Sequence, residues 1–404
     1  MYEPHLNERK SLLDWPLVLA LLGLMVVGTA FIYSASLANE SARTLSWFRQ
    51  IHVKQIIWYE VGIISVIVLC MFDYRTLARW SIIAYWLTIL SLILVLFIGT
   101  GGLNWGARRW INMGFFQFQP SEFAKIAFIL MLANFLSRPV EELRSQKLFF
   151  KALGMIALPF LLILKEPDLG SALVFFPVGL LMMFIAGVPG KLLASFIAVV
   201  GLIVILLLVD VLFAPPDSKW QIKLHPYQRQ RLMTYFGKDF APRNATPAER
   251  KQAAVLQRDK SYNVEQALIS VGSGGLTGKG WRQGTQYSLG FLPRGVAHND
   301  FIFSVIAEEK GFVGSVIVLT LYTVILFSGI KIASQARDRL GKILAVGVVA
   351  LLFSHVFINI GMNIRLMPVT GIPLPLLSYG GSSVLCSLIA IGILQNVHMY
   401  RRSY

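Results

Sequence analysis

The sequence predicts an all-α polytopic membrane protein, and three observations carry that expectation. Of the 404 residues, 55% are hydrophobic and only 14% are charged. Apolar runs of about 18 residues or more, long enough to cross a hydrocarbon core, recur along the chain. Runs such as Leu161 to Leu164 and Leu202 to Val209 are continuously apolar and lack the alternation of a barrel strand, which leaves helices to satisfy the backbone in lipid. The runs are spaced too evenly for two or three separate water-surrounded cores, so residues 1–404 read as one membrane domain.

About ten spans are expected, at roughly 15–36, 54–71, 78–98, 120–137, 147–164, 168–187, 190–213, 301–330, 341–363 and 375–398. Ser34-Ala35-Ser36-Leu37-Ala38 places small residues after the first span, as at a signal-peptide cleavage site, but the apolar stretch is too long for an h-region and is read as an uncleaved span. Between the seventh and eighth spans lies the only long polar segment, a large loop over 214–300. Cys70 and Cys386 both fall within spans, which argues against a disulfide framework or a metal-ligand cluster.

Lys and Arg near the span ends give the orientation. The side holding both termini, from Arg9 and Lys10 through Arg138, Lys191 and Arg339 to Arg402, carries about twice the basic residues of the short loops opposite. Both termini are therefore expected in the cytoplasm and the 214–300 loop outside it. This bias, together with contact to anionic lipid headgroups, accounts for much of the +16 net charge, and nucleic acid is not an expected partner.

Ionisable groups at membrane depth are costly and mark sites by default. Gly106-Ala107-Arg108-Arg109-Trp110 is followed by Gln119-Pro120-Ser121-Glu122-Phe123-Ala124-Lys125. Pro120 and Ser121 open a helix, and Glu122 and Lys125 share a face at i, i+3. This cluster fits either interfacial anchoring by Arg and Trp at a capped helix start or a cationic site for a phosphate-bearing lipid headgroup, in which Glu122 holds Lys125 in place. Lys165-Glu166-Pro167-Asp168-Leu169-Gly170-Ser171 reads as a tight turn in which Asp168 serves the first turn of the next helix.

Ser273 to Gly280 is glycine-rich and contains Lys279, but it lacks P-loop order; a close-packed turn that leaves backbone amides free for an anion suits it better. His298-Asn299-Asp300 then closes the loop. Asp300 is read either as a helix cap or as a catalytic acid at the membrane surface. His355, Asn359 and Asn363 follow at i, i+4 and i+8 beside Arg365, as a polar cavity wall or as interhelical glue. Finally, Gly371 to Pro375 breaks the chain before Ser378-Tyr379-Gly380-Gly381-Ser382-Ser383, and such irregular backbone needs protein or water beside it.

Taken together, the segments Gly106 to Trp110, Gln119 to Lys125, Glu166 to Ser171, Ser273 to Gly280, His298 to Phe303 and Pro373 to Ser383 resemble the SEDS (RodA/FtsW) family of shape, elongation, division and sporulation proteins. The resemblance spans nearly the whole chain. Phe118 to Glu122, Gly284-Thr285-Gln286 and Ile372 to Pro375 are more similar to its elongation branch, RodA, than to its division branch, FtsW. It implies ten helices, a large extracytoplasmic loop, a bacterial cytoplasmic (inner) membrane, and glycosyltransferase activity on lipid II in cell-wall elongation. A class B penicillin-binding protein is the partner it implies.

Asp300 matches the family's essential aspartate, and Glu122 and Lys125 its polar pair on the fourth helix. The chain departs from the pattern in Asn299, where Thr is usual, and in the longer link Pro293-Arg294-Gly295-Val296-Ala297. The reaction implied is attack by a sugar hydroxyl on the anomeric carbon of a glycan held on undecaprenyl pyrophosphate. Asp300 is then the expected general base, and a single base fits direct displacement with inversion. Arg109, Glu122, Lys125, His298, His355, Asn359, Arg365 and Ser378 are expected to bind substrate, with Lys125 and Arg109 foremost on the leaving pyrophosphate. A divalent cation, magnesium or manganese, has room beside Asp300, although no run has dedicated metal-ligand spacing. A lipid II flippase and a non-catalytic scaffold for the penicillin-binding protein are the rival readings.

Overall fold

The computed structural model describes residues 12–36, 46–100, 108–114, 116–213, 226–241, 246–292 and 297–402. Arg9, Lys10, Arg43, Gly106, Ala107 and the Pro293 to Val296 link lie outside the described residues. The helices are α1 (Trp15–Ser36), α2 (Ile51–Cys70), α3 (Tyr74–Arg79), α4 (Ser81–Ile98), α5 (Pro120–Leu136), α6 (Val140–Leu143), α7 (Gln146–Lys165), α8 (Leu169–Leu173), α9 (Phe175–Ala186) and α10 (Gly190–Phe213). They continue with α11 (Pro226–Tyr235), α12 (Pro247–Ser273), α13 (Thr285–Ser288), α14 (Ile302–Ser334), α15 (Arg339–Asn363) and α16 (Gly381–Met399). The described strands are a two-residue pair, β1 (Ile111–Asn112) and β2 (Gln117–Phe118), just before α5.

Nine segments among the described residues are at least 18 residues long and apolar enough to cross a membrane, and the protein is a helical, multi-pass membrane protein. The tenth expected span, over 120–137, is α5, which at 17 residues is one short of that length. It is also among the most enclosed helices, packing against α4, α9, α15 and α16. A sixth span over 168–187 is realised as α8 and α9, separated at Val174. The last begins only at Gly381, because Gly371 to Pro375 and the residues after it are irregular.

The 214–300 segment departs most from expectation. It holds α11 and the 27-residue α12, opened by a capping box in which Thr246 and Glu249 satisfy each other's backbone amides. α12 packs along α14 and α15 and is therefore part of the bundle. Polar composition hid this, because α12 buries only a narrow apolar stripe containing Val264 and Ala267.

The eighth span, α14, is broken at Gly311, whose φ of 64° and ψ of −156° are open to glycine alone. The break frees carbonyls before it and amides after it, and the glycine-rich turn takes them up. The amides of Lys279 and Gly280 donate to the carbonyls of Glu308 and Glu309, each at 3.0 Å. In return Phe312 and Val313 donate to the carbonyls of Gly275 and Leu276, at 2.9 and 3.1 Å. The amides expected to be free for an anion are thus spent on the kink.

Side chains lock the same junction. Glu308 accepts bonds from the Lys279 ammonium at 2.6 Å, the Thr285 amide at 2.7 Å and the Gln286 amide at 3.0 Å. Glu309 accepts from Ser34 of α1 at 2.5 Å and Tyr287 at 2.6 Å. At the opposite end Lys331 pairs with Asp14 at 3.3 Å, and Asp338 caps α15 while holding Arg75 at 2.9 Å. Gly311→Ala is expected to cost roughly 1–3 kcal/mol, since its Cβ would meet strained backbone and lie 2.4 Å from the Gly278 nitrogen. Thermal melting of the detergent-purified variant measures this, and an unchanged midpoint would mean that the kink carries no such constraint.

Candidate active site at the Asp300 end of the bundle

Asp300 stands in the turn just before α14, half-buried. The backbone around it is held on every residue. The His298 carbonyl accepts the Tyr379 amide at 2.9 Å, and the Asn299 carbonyl accepts the Ser378 hydroxyl at 2.6 Å. The Asp300 carbonyl accepts from both Asn359 Nδ2 and Asn363 Nδ2 at 3.1 Å. Asn359 also binds the Ile372 carbonyl at 2.7 Å, and Ser304 donates to Asn363 at 2.6 Å. Asn359 and Asn363 are therefore buried clamps on the Asp300 loop and on the irregular 372–378 segment.

Ser378 is engaged in the same way. Its hydroxyl also accepts the Leu374 amide at 2.8 Å, and the residue is 1% exposed. Expected as a ligand-binding side chain, it instead fixes the loop that presents Asp300. Beside the carboxylate lies Gly371, at φ 76°, where an added Cβ would stand 3.6 Å from Asp300 Oδ2.

Charges on three other elements act on Asp300: Arg231 of α11, Asp168 at the start of α8, and Arg109 before β1. Burial raises the Asp300 carboxyl to about 6; Arg231 opposes this, Asp168 adds to it, and Arg109 opposes it. Sequence reasoning missed Arg231, because α11 reads as part of a charged loop. Its anchor is Tyr235, one helical turn on, whose hydroxyl donates to the Leu366 carbonyl at 2.9 Å.

Arg109 is a staple as well as a charge. Its Nε donates to the Glu166 carbonyl at 3.2 Å, its terminal nitrogen donates to the Pro167 carbonyl, and the guanidinium lies 4.0 Å from Asp168. Asp168 accepts the Ser171 amide at 3.1 Å, the capping role expected of it. Glu166 is fully buried, and neither carboxylate oxygen has a hydrogen-bond partner among the described residues. Burial, reinforced by Asp168 and opposed by Arg109, raises it to about 9, so it is neutral near pH 7.

Lys125 lies deeper. Its ammonium is 2.7 Å from Glu122 and 3.0 Å from His355 Nε2, and all three residues are buried. His355 is one turn along α15 from Asn359, about 6 Å by helical rise, so this triad sits behind the Asp300 loop. His298 lies against Tyr379, with ring centroids 5.7 Å apart. Arg365 is exposed just past α15, and no hydrogen bond or ion pair among the described residues ties its side chain to Asp300. Among those residues no three His, Cys, Asp or Glu side chains are grouped to hold a metal ion.

A multi-pass helical bundle that holds one raised carboxyl, Asp300, under the electrostatic influence of two guanidinium groups defines a membrane-embedded protein with an acidic site. The chain belongs to the FtsW/RodA/SpoVE family, whose profile, described as a cell cycle protein, matches residues 15–403. It is 35% identical over 392 residues to the peptidoglycan glycosyltransferase MrdB of Escherichia coli K12, covering 96% of this chain and 94% of that one. Its fold is similar to a chain from a structure titled as the coordination of polymerization and crosslinking by a peptidoglycan synthase complex, with TM-score 0.73, 27% identity, and coverage of 97% of this chain and 99% of the other. The crystal structure of the rod shape determining protein RodA of Thermus thermophilus matches at TM-score 0.64 and 26% identity, covering 97% and 98%.

Glu166 gives a pH-dependent prediction. A carboxyl near 9 when folded and near 4.5 when unfolded makes the native state bind the extra proton; its contribution is full below about 4.5 and is lost as pH rises toward 9. Glu166→Gln removes that loss. The variant is expected to melt above the native protein at pH 8.5 and to converge with it near pH 5 in scanning fluorimetry. A variant less stable at every pH would show that Glu166 is an ionised, paired group.

Proposed function

We propose that Asp300 is the general base with which this chain joins lipid II units into glycan strands. The chain is a membrane glycosyltransferase of cell-wall synthesis, as its family and its near-full-length similarity to a peptidoglycan glycosyltransferase support. The observation that carries the finer reading is the placement of Asp300, with its backbone clamped at three successive carbonyls and its carboxyl acted on by the charges of Arg231 and Arg109.

A sugar hydroxyl is a weak nucleophile, and a fixed carboxylate lowers the barrier by taking its proton as the oxygen attacks. The new bond forms from that oxygen to the anomeric carbon of the glycan. The bond from this carbon to polyprenyl pyrophosphate breaks, and the leaving group departs with the electron pair. A single base acting without a covalent intermediate implies inversion. Arg109 and Arg231 are the cations whose charge acts on Asp300, and they are the natural charges for the pyrophosphate. The Lys125 ammonium, expected beside Arg109 at the pyrophosphate, is committed to Glu122 and His355, and we assign it a supporting part. A divalent ion enters this reading as a companion of the pyrophosphate, since the described residues group no three ligands for it.

Both termini then face the cytoplasm of an inner membrane and the Asp300 end faces outward, as the Lys and Arg bias requires. A class B penicillin-binding protein fits as the partner that crosslinks the product, and the Phe118 to Glu122 and Ile372 to Pro375 segments favour elongation over division. Polymerisation of labelled lipid II by the purified chain, with and without that partner, tests the reading. Asp300→Asn is expected to lower the rate by about 10²–10⁴ without unfolding the protein. Lipid transfer between leaflets with no polymer would favour the flippase instead.

The pH profile tests the base separately. Because Asp300 is raised to about 6 and acts when ionised, the initial rate is expected to climb about tenfold per pH unit below 6 and level above it. A rate flat from pH 4.5 to 7 would remove Asp300 from this role.

A further inference from the structure

A cavity of about 650 Å³ opens between α1 and α2, away from the Asp300 carboxylate. Its walls are mostly apolar, running from Leu22 and Ile63 at one end to Tyr33 and His52 at the mouth. On α1 this is about 16 Å by helical rise. Trp281, from the turn after α12, closes the mouth. Tyr33 stacks edge-on against His52 at 4.8 Å and lies 6.4 Å from Trp281.

The charges on this groove are sorted along its length. The Arg282 guanidinium sits over the Tyr33 ring at 5.7 Å and near Trp281 at 6.0 Å, so an exposed cation stands at the mouth. His52 Nδ1 is buried there without a hydrogen-bond partner among the described residues. Glu60, two turns further along α2, is an exposed residue on the lining away from the mouth. An amphiphile with an anionic head is attracted at the Arg282 end and repelled at the Glu60 end, which orients its head toward Arg282 and its apolar chain along the groove.

The groove is also wired to the proposed catalytic loop. Tyr59 on its back wall donates to the Leu376 carbonyl, and Gln55 donates both to Tyr59 and to the Ser378 carbonyl. Ser378 in turn holds Asn299, next to Asp300.

We propose that this groove binds the isoprenoid chain of the acceptor, the polyprenyl pyrophosphate substrate whose own pyrophosphate does not leave, with that pyrophosphate at Arg282 and His52 and the donor's at Arg109 and Arg231. The assignment rests on the reading of the chain as a polymerase of polyprenyl-linked sugars. It adds a lipid-chain site on α1 and α2 that is separate from the Asp300 cluster, and it couples chain binding to loop position through Tyr59, Gln55 and Ser378.

The test uses the full-length protein in nanodiscs and a polyprenyl pyrophosphate carrying a diazirine in its chain, with crosslinked peptides mapped by mass spectrometry. Labelling is expected to concentrate in residues 22–33 and 52–63. Ala30→Trp, which fills the groove, is expected to abolish it. Arg282→Ala, an exposed change that leaves the fold intact, is expected to weaken it about fivefold, the weight of one cation near an anionic headgroup. Asp300→Asn is expected to lose polymerisation and keep the labelling. Labelling spread evenly over lipid-facing helices, equal displacement by phosphatidylglycerol, or indifference to both groove variants would overturn the assignment. Groove labelling by a protein that forms no polymer from lipid II would sink the polymerase reading while leaving the lipid-chain site standing.

Discussion

Backbone groups freed inside a membrane-embedded bundle must find partners within the protein, because lipid offers none and each unsatisfied group costs several kcal/mol. That constraint organises the Asp300 end. Two segments leave helical geometry there, the kink at Gly311 and the stretch between α15 and α16. The first is paired with the glycine-rich turn, amide for carbonyl. The second is held by side chains: Tyr322 donates to the Pro375 carbonyl at 2.5 Å, Tyr59 to Leu376, Asn359 to Ile372 and Gln55 to Ser378. Asp300 lies between these two irregular segments, and the groups that satisfy them also fix it.

This arrangement separates rigidity from chemistry. Asn359, Asn363 and Ser378 are fully engaged with backbone and leave the Asp300 carboxyl as the group on which other charges act. Its environment is balanced: burial and Asp168 disfavour the ionised form, Arg231 and Arg109 favour it, and the balance falls at about 6. A carboxyl there is mostly ionised near pH 7 and is a stronger base than an ordinary aspartate. Glu166, on the same turn as Asp168, shows the opposite outcome. Buried without a hydrogen-bonding partner among the described residues, it reaches about 9 and contributes no charge near pH 7.

Much of the bundle was legible because lipid imposes one simple code, and α1, α10 and α15 follow it within a few residues of expectation. The pairs Glu122–Lys125 and Asp168–Ser171 were also legible, since i, i+3 spacing and capping are local. Three features were not. The burial of α12 is invisible in its polar composition. The use of the 275–280 backbone depends on Gly311, more than thirty residues away. Arg231 acts on Asp300 from α11, which Tyr235 ties to Leu366 just past α15. The His355, Asn359 and Asn363 stripe was read both as cavity wall and as glue; for the asparagines, the carbonyls they bind decide for glue.

The buried triad of Glu122, Lys125 and His355 can now be given a physical role without contact to substrate. A buried ion pair stripped of one partner leaves an uncompensated charge and is strongly destabilising, so the three groups depend on one another and tie α5 to α15. α15 is the helix whose next two turns carry Asn359 and Asn363. Holding it against α5 sets the height at which those amides meet the Asp300 carbonyl. The triad thus acts on Asp300 through the backbone of α15: a shift of that helix would release both amide clamps at once, whereas loss of either asparagine alone would leave one in place.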